Sequence, residues 1–533
     1  MRYQTKIAAI IFLFAGSCIS TPAQQEFGPS IASVHQNAPQ IFNAVHNAMR
    51  QFGSSLHHNG MSFFQATIPK GTILYHGSPT NEVPQGLEWL AFEIEHSENF
   101  AFGTFKKKPN DTPLVVQDSS QRPLDINSQH AISDKTVYMR EIIARDLGAP
   151  SSQGCNPAGC DDGDDEWIHV PGYLHIYQAA RPLKVLYLDG MAAGKTNMGT
   201  NDAEDYILTG NKSRHGFDDM RRADDLCDWA KTWEIDGFIR MEPGFEVVYC
   251  NFGDGGVHQV SATRHYKGFR PMEHHIYQYF QWVKAASQRY YGIGGGRVRV
   301  DYASMVSAYF YPLNLTNPNI TMAEHPRLSA ASLEELAVIR KHVERMTPKQ
   351  RQKSFSGVDW QGVTDLVVTR YADRLALMAT YDSVTAINVS LHHLIDTHIA
   401  YLDDDIDFDS ARRACASHYL AGAIPETAEE EFIYAGILGT TELICKTLFD
   451  AHSLVEKAAY TDHDATREAL SLVKDLMDKL RWSEWKQCGP CKMDEVCFIA
   501  MWPFGNTEDH YNPSCHNAST LVGRDSYWRW EWW

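Results

Sequence analysis

Residues 73–102 read ILYHGSPTNEVPQGLEWLAFEIEHSENFAF, and this segment carries the most informative structural pattern in the chain. It begins with a short apolar run that ends in His76 and Gly77, which is typical of a β-strand leading into a turn. A second apolar run, Leu87–Phe92, predicts another strand. The residues that follow, Glu95–Phe102, predict a helix. The segment therefore predicts two strands and a helix in close succession.

Further apolar runs, bounded by Gly, Pro or acidic residues, continue this pattern to about Ser261. They predict strands at Lys184–Leu188, Asp236–Arg240 and Phe245–Cys250. A helix is predicted between them at Asp218–Thr232. Because strands and helices alternate irregularly with long loops, we expect an α+β domain with a mixed sheet.

The C-terminal half has a helical periodicity instead. Apolar residues recur at spacings of three and four in five stretches, Leu333–Arg345, Val363–Met378, Ser383–Leu402, Thr427–Phe449 and Asp464–Leu480. After residue 480 the chain holds four cysteines and seven of its thirteen tryptophans, which predicts a disulfide-rich cap. The expected organisation is a signal peptide (1–23), a helical lead-in (24–67), the α+β domain (68–265), a linker region (266–330), a helical domain (331–480) and the cap (481–533).

The N-terminus predicts export from the cell. Arg2 and Lys6 precede the apolar run Ile7–Phe14 and a segment of mostly small residues up to Ala23, which is the layout of a secretory signal peptide. No later stretch reaches the ~18 uninterrupted apolar residues that a membrane helix needs. We therefore expect a secreted, extracellular protein with no membrane partner after removal of the signal.

Ten cysteines lie beyond the signal peptide, and an even number in an exported chain indicates disulfides. Their positions favour Cys155 with Cys160, Cys227 with Cys250, Cys415 with Cys445, and two bridges among the last four. Sequons for N-glycosylation begin at Asn110, Asn211, Asn314, Asn319, Asn388 and Asn517, so a glycoprotein is expected. No metal site is predicted, because Cys488 and Cys491 lack a second pair at zinc spacing.

Charge and composition exclude one class of partner. The 533 residues include 48 basic and 66 acidic side chains, which gives a net charge of −18. Such a chain has no global positive field to collect polyanions, so nucleic acid is not an expected partner. With 44% apolar residues, it has enough apolar side chains to build folded cores.

Three elements in order resemble the ADP-ribosyltransferase fold: the strand ending in His76 and Gly77, the aromatic strand at 87–92, and a late strand containing Glu246. They match the branch whose motifs are a His-Gly on a first strand, an aromatic residue on a second and a Glu on a late strand. The resemblance covers about Ile68 to Val260. The whole chain also resembles uncharacterised secreted proteins of filamentous fungi.

This resemblance implies an enzyme that consumes NAD as its substrate, either an ADP-ribosyltransferase or an NAD glycohydrolase. Glu246 would stabilise the oxocarbenium-like state formed when nicotinamide leaves the ribose. His76 would bond a ribose hydroxyl, and Gly77 would let the backbone approach the carboxamide. Trp89 or Phe92 would stack on nicotinamide in place of the family's usual tyrosine. The acceptor, whether a protein target, a small molecule or water, is left open by the sequence.

Two other functions compete with this one: a non-catalytic secreted interaction protein on the same scaffold, and a hydrolase with a dispersed site. The NAD hypothesis requires His76, an aromatic ring and Glu246 to converge on one open cleft, with His76 and Glu246 within about 12 Å of each other. Glu242 is a weaker substitute for Glu246, because it lies beside Pro243 in a predicted turn. Lys195 follows a near-miss of a phosphate-binding loop, so a plain turn is favoured there, with a place in the cleft as the alternative.

Overall fold

The fold is described from a computed structural model that covers most of the chain. The described residues are 27–102, 172–214, 218–265, 272–288, 296–350, 355–401, 406–458, 462–521 and 524, together with the backbone of two short strands at 106–107 and 167–168. The predicted signal peptide, the proposed Cys155–Cys160 pair, the first sequon and the last four tryptophans lie outside the described residues. None of the other five sequon asparagines is buried.

Helices and strands alternate up to residue 307, and helices dominate beyond it. The α-helices are α1 (Ile31–Gln36), α2 (Ala38–His46), α3 (Gln51–Leu56), α4 (Ile94–Glu98), α5 (Asp219–Trp233), α6 (Met272–Ser287), α7 (Leu333–Arg345), α8 (Trp360–Met378), α9 (Val384–Ile395), α10 (Phe408–Ser417), α11 (Ala428–Val455), α12 (His463–Leu480) and α13 (Thr507–Tyr511). The strands are β1 (Ser62–Ile68), β2 (Ile73–Ser78), β3 (Glu88–Ala91), β4 (Lys106–Lys107), β5 (Trp167–Ile168), β6 (Tyr173–Ala179), β7 (Leu183–Leu188), β8 (Gly237–Glu242), β9 (Gly244–Tyr249), β10 (Val257–Arg264), β11 (Arg299–Ser307), β12 (Val496–Phe498) and β13 (Ser514–His516). A π-helix spans Ala203–Thr209.

A nine-stranded mixed sheet forms the framework of the first half, in the order β10-β6-β2-β3-β9-β8-β7-β1-β11. Neighbouring strands are antiparallel except β7 and β8, which are parallel and are joined through α5. That connection follows from geometry, because two parallel neighbours need a crossover long enough to hold a helix. Every residue of the central strands β8 and β9 is buried. Charged side chains on these two strands are therefore held inside the protein.

The helical region is organised around α11, a helix of 28 residues. By length and composition α11 could cross a membrane, but 56% of its most apolar window is buried inside the protein. It packs against α2, α9, α10, α12 and the edge strand β11. Its first turn carries Glu429, Glu430 and Glu431 after the N-cap Thr427, which complements the positive end of the helix dipole. We interpret α11 as the core helix of this region.

The predicted α+β class is confirmed: a mixed sheet is followed by a helical region that carries several disulfides. The bridges Cys227–Cys250 and Cys415–Cys445 form as predicted. The last four cysteines form two bridges, Cys488–Cys497 and Cys491–Cys515. These four disulfides are compatible with an extracellular protein.

The sheet extends beyond the range expected for it. Strand β11 and helix α6 lie within 266–330, where a linker region was expected. Strand β1 occupies the last residues of the range that was predicted as a helical lead-in. Strand β11 pairs with β1 across more than 230 residues of sequence, from Ser62 opposite Ser307 to Thr67 opposite Arg299. Local sequence patterns do not reveal so distant a pairing. The glycine-rich run at 292–296, just before β11, is typical of a linker.

Candidate functional site

Glu246, the predicted catalytic residue, lies on the central strand β9 and is 5% exposed. It pairs across the sheet with Arg240 on β8. The Arg240 guanidinium donates to Glu246 Oε1 from Nη2 at 2.6 Å and from Nε at 3.1 Å. Glu246 therefore forms a buried ion pair with Arg240.

His76 lies two strands away from Glu246 and faces the other side of the sheet. Tyr75 lies opposite Ala91, and Ala91 lies opposite Glu246, so these three side chains share one face. His76 follows Tyr75 and therefore points to the opposite face, where its cross-strand partner is His175. The structure does not bring His76 and Glu246 into one cleft, because the sheet lies between their side chains.

The other predicted NAD-binding residues make contacts within the sheet and with the α4 segment. His76 Nδ1 donates to the backbone oxygen of Trp89 at 2.8 Å, and Trp89 itself is half-buried. Phe92 is a core residue, 1% exposed. A Cβ on Gly77 would lie 2.4 Å from the backbone oxygen of Ser97, so this glycine permits close packing of the segment that follows α4.

Glu246 belongs instead to a group of buried charged side chains around the β8–β9 hairpin, which we call the hairpin cluster. Its members are His96, Lys195, Glu204, Asp205, Asp219, Arg222, Arg240, Glu242 and Glu246.

Glu242 is at the centre of one half of the cluster. His96 Nε2 lies 3.1 Å from Glu242 Oε1, and Lys195 Nζ lies 2.9 Å from Glu242 Oε2. Lys195 Nζ is also 3.5 Å from Asp219 Oδ2 and 4.6 Å from the ring centroid of Trp502. Trp502 belongs to the Cys-rich C-terminal segment, so the cap closes over this half of the cluster. Lys195 thus forms a buried ion pair with Glu242, and its place in a substrate cleft stays a prediction.

Arg240 is at the centre of the other half. Its Nη1 donates to Glu204 and to Asp219, each at 3.0 Å, while Nη2 binds Glu246. Arg222 binds Asp205 at 2.8 Å in addition. In all, the cluster contains five carboxylates and three permanent cations, Lys195, Arg222 and Arg240. A fourth cation, Arg214, lies further out, with Nη1 3.9 Å from Asp205 Oδ1. Because carboxylates outnumber cations, a proton is favoured on one of them.

The pKa values of the two hairpin carboxyls are displaced in opposite directions. Burial raises the pKa of Glu246 against the attraction of Arg240. Burial acts on Glu242 in the same sense, but the Lys195 ammonium and the His96 hydrogen bond outweigh it and hold the pKa of Glu242 below its usual range. Burial also raises the pKa of Glu204 to about 7. Two neighbouring acids separated in this way are typical of acid–base pairs at active sites.

A metal ion is a poor fit for the hairpin cluster. Ligand atoms of His96, Glu242 and Glu246 lie within 4.8 Å of one another, which is compatible in distance. Lys195 and Arg240 already supply positive charge to both carboxylates, however, and would repel a cation. Ligand nitrogens of three buried histidines, His58, His325 and His510, also lie within 4.8 Å of one another.

Sequence reasoning identified part of this site. Glu246 was predicted because a carboxylate inside an apolar run needs a partner or a site. Glu242 was considered as its weaker substitute, and Lys195 because it follows a near-miss of a phosphate-binding loop. The prediction missed the other six members, which are His96, Glu204, Asp205, Asp219, Arg222 and Arg240. Arg240 carried a usable signal, since it is a charged residue inside the apolar strand Gly237–Glu242.

Comparison with known proteins finds similarity to two yeast proteins and to one family model. A family model described as the YPL277C N-terminal domain matches residues 27–273. The chain is similar to "Uncharacterized protein YOR389W" of Saccharomyces cerevisiae, with 24% identity over 570 aligned residues that cover 90% of this chain and 84% of that protein. It is also similar to "Uncharacterized protein YPL277C" of the same yeast, with 32% identity over 42% of each chain. No solved structure matches.

The family match supports the sheet domain as a unit that occurs in other proteins. The matched region, 27–273, contains every strand of the nine-stranded sheet except β11. The names of the two yeast proteins state no activity.

Proposed function

We propose that the protein is a secreted enzyme that cleaves the nicotinamide–ribose bond of NAD, with Glu242 as the carboxylate that stabilises the developing cation and Glu246 as a neighbouring carboxyl that sets the local field. The observation that carries this proposal is the arrangement of these two carboxyls on one buried hairpin, where Glu242 contacts His96 and Lys195 and Glu246 pairs with Arg240. Their pKa values are displaced in opposite directions, which supports the proposal. Sheet topology adds support, because the His-Gly, aromatic and Glu strands of the resemblance are direct neighbours in the order β2-β3-β9. The four disulfides and the signal-like N-terminus favour an exported location.

Each residue of the cluster has a role in such a reaction. Loss of neutral nicotinamide leaves positive charge on the ribose, and the ionised Glu242 would stabilise that charge. His96, held by Glu242, would accept the proton of the attacking hydroxyl, whether from water or from a target. Lys195 would attract the pyrophosphate of the substrate. Glu246 and Arg240 would fix the local field around the reacting centre.

This assignment differs from the one implied by the resemblance in three respects. Glu242 takes the place of Glu246 as the stabilising carboxylate, while Glu246 keeps a supporting role. His76 is placed outside the site because it faces the other side of the sheet, and Gly77 because it packs on the α4 segment. The aromatic surface beside His96 is Trp282, whose ring stacks on this imidazole with centroids 5.0 Å apart.

The proposal is tested by measuring nicotinamide release from NAD with the purified mature protein. Glu242→Gln should lower the rate on the order of 100-fold or more, because a neutral amide cannot stabilise the developing cation. Glu246→Gln should lower the rate less, because Glu246 acts through the field around the reacting centre. Glu429→Gln is the matched control: Glu429 is also buried and pairs with a histidine, His342, at 2.9 Å, but lies in the helical region. This control should keep the wild-type rate.

A second function is favoured by the burial of the hairpin cluster. Its carboxylates are ion-paired, and each member is at most 9% exposed. Such a cluster can simply stabilise a scaffold that binds partners elsewhere. Wild-type protein that is folded and releases no nicotinamide would support this non-catalytic interaction protein and reject the enzyme.

A further inference from the structure

We propose that His58, His325 and His510 form a metal site for a divalent ion of the zinc type, which joins three distant parts of the chain. Ligand nitrogens of the three imidazoles lie within 4.8 Å of one another. The three side chains are 0%, 1% and 1% exposed. This site is separate from the hairpin cluster and independent of the proposed activity.

The three histidines come from different elements. His58 lies in the turn after α3, His325 follows a 3₁₀ turn at Ile320–Met322, and His510 lies on α13 in the C-terminal cap. Their ring centroids are 4.0 Å apart for His58 and His325, 5.3 Å for His58 and His510, and 5.0 Å for His325 and His510. Chain segments separated by more than 180 residues thus converge on one point.

The charge state of the rings suits metal binding. Burial is the main cause that lowers the pKa of all three imidazoles, so each is neutral near pH 7 and has a nitrogen lone pair. Neutral imidazole is a preferred ligand of zinc and of related first-row ions.

A carboxylate lies at the edge of the triad. Glu324 Oε1 is 3.3 Å from His325 Nε2 and accepts a hydrogen bond from Tyr511 at 2.5 Å. Carboxylates in this position orient a ligating histidine or supply a fourth ligand. Arg481 is the nearby cation: its Nη1 donates to the backbone oxygen of Glu324. The Arg481 charge acts on all three imidazoles, and the carboxylate of Glu324 offsets part of it.

The geometry needs only a small adjustment. Tetrahedral ligands about 2.1 Å from zinc lie about 3.4 Å from each other. The ligand nitrogens lie within 4.8 Å at present, so rotation of the imidazole rings can bring them to that spacing. Binding would tie the cap to the sheet domain and to the segment before α7.

The test uses the full mature protein, stripped with EDTA and then titrated with Zn²⁺ or Co²⁺. We expect one equivalent of metal, a visible absorption band typical of tetrahedral Co²⁺, and a rise of the thermal midpoint on zinc addition. His325→Gln and His510→Asn should each weaken binding on the order of 100-fold or more and abolish the cobalt band. His342→Gln, which changes an equally buried histidine outside the triad, should bind as the wild type does.

Two results would overturn the proposal. Wild-type protein that gives neither the cobalt band nor a midpoint shift does not hold the metal. Equal affinity in His325→Gln and wild type would place any bound metal elsewhere. The wild-type measurement stands by itself if a variant fails to fold, and neither result depends on NAD cleavage.

Discussion

Arg240 shows how much of this protein depends on single buried charges. Its guanidinium is fully buried and is shared by Glu204, Asp219 and Glu246. Removing one partner of a buried ion pair is costly, because the remaining charges lose their compensation without regaining water. Arg240 therefore stabilises the β8–β9 hairpin and also contributes to the electrostatic field around it.

Arg240→Met should lower the free energy of unfolding by about 3–5 kcal/mol, measured by chemical denaturation. Lys231→Met is the control, because Lys231 forms an ion pair with Asp228 in which both side chains are about three-quarters exposed. Loss of such a surface pair should change stability by less than about 0.5 kcal/mol. Equal effects of the two changes would contradict the role given to Arg240.

Asp189 provides a pH-dependent contribution to stability. Burial raises the pKa of this carboxyl to about 7, against the hydrogen bond that Ser62 N–H donates to Oδ1 at 2.8 Å. The folded state holds the proton more tightly than the unfolded chain, so this contribution is complete below pH 4 and is lost as the pH rises through 7.

Asp189→Asn should therefore become more stable relative to the wild type as the pH rises from 5 to 8, by on the order of 2 kcal/mol. An amide oxygen can still accept from Ser62, so the structural contact is kept. Denaturation curves of both proteins at pH 5, 6.5 and 8 measure the difference. A constant difference would show that Asp189 has an ordinary pKa in the folded protein.

The residues of the candidate site could be predicted from the sequence only in part. A carboxylate in an apolar run, such as Glu246, signals a partner or a site whatever the fold. The partner itself and the direction of a side chain depend on strand register, and a shift of one residue moves His76 to the other face. For this reason the expected convergence of His76 and Glu246 was not found.

At the scale of elements, the packing of α4 against β2 depends on one glycine. A Cβ at position 77 would meet three backbone atoms at 2.4–2.6 Å, in Ser97, Phe100 and Ala101. Backbone cannot move aside as a flexible side chain can, so the two elements would have to separate.

Gly77→Ala should cost about 2–3 kcal/mol of unfolding free energy. Gly422→Ala is the matched control, because a Cβ there meets nothing within 4 Å. Thermal or chemical unfolding of the two variants makes the comparison. Wild-type stability in Gly77→Ala would mean that α4 is held less closely than the structure shows.

The elements themselves were largely predictable. Helix α7 has the predicted bounds, and α12 differs from its prediction by one residue, because apolar periodicity and caps specify long amphipathic helices locally. Strands β7, β8 and β9 also lie where apolar runs predict them. Strand β11 was not foreseen, because its place depends on a partner far away in the sequence.

At the scale of the whole molecule, the two halves of the chain share one core. Helix α11 of the helical region packs on α2 from the N-terminal lead-in and on the sheet edge β11. Asn43 of α2 donates to the backbone oxygen of Leu480 at the end of α12 at 2.8 Å. The domain boundaries expected from composition therefore separate regions of different secondary structure that pack against each other.

The pairing of β1 with β11 has a consequence for the order in which the protein forms during synthesis. Ser62 is translated some 245 residues before its partner Ser307, and α2 waits still longer for α11. Until then, β1 lacks its neighbour on the β11 side, and α2 lacks the long helix that packs on it. Long-range closures of this kind slow folding and expose surfaces that aggregate. The nascent chain therefore leaves part of its apolar surface uncovered until more than four-fifths of it has been made.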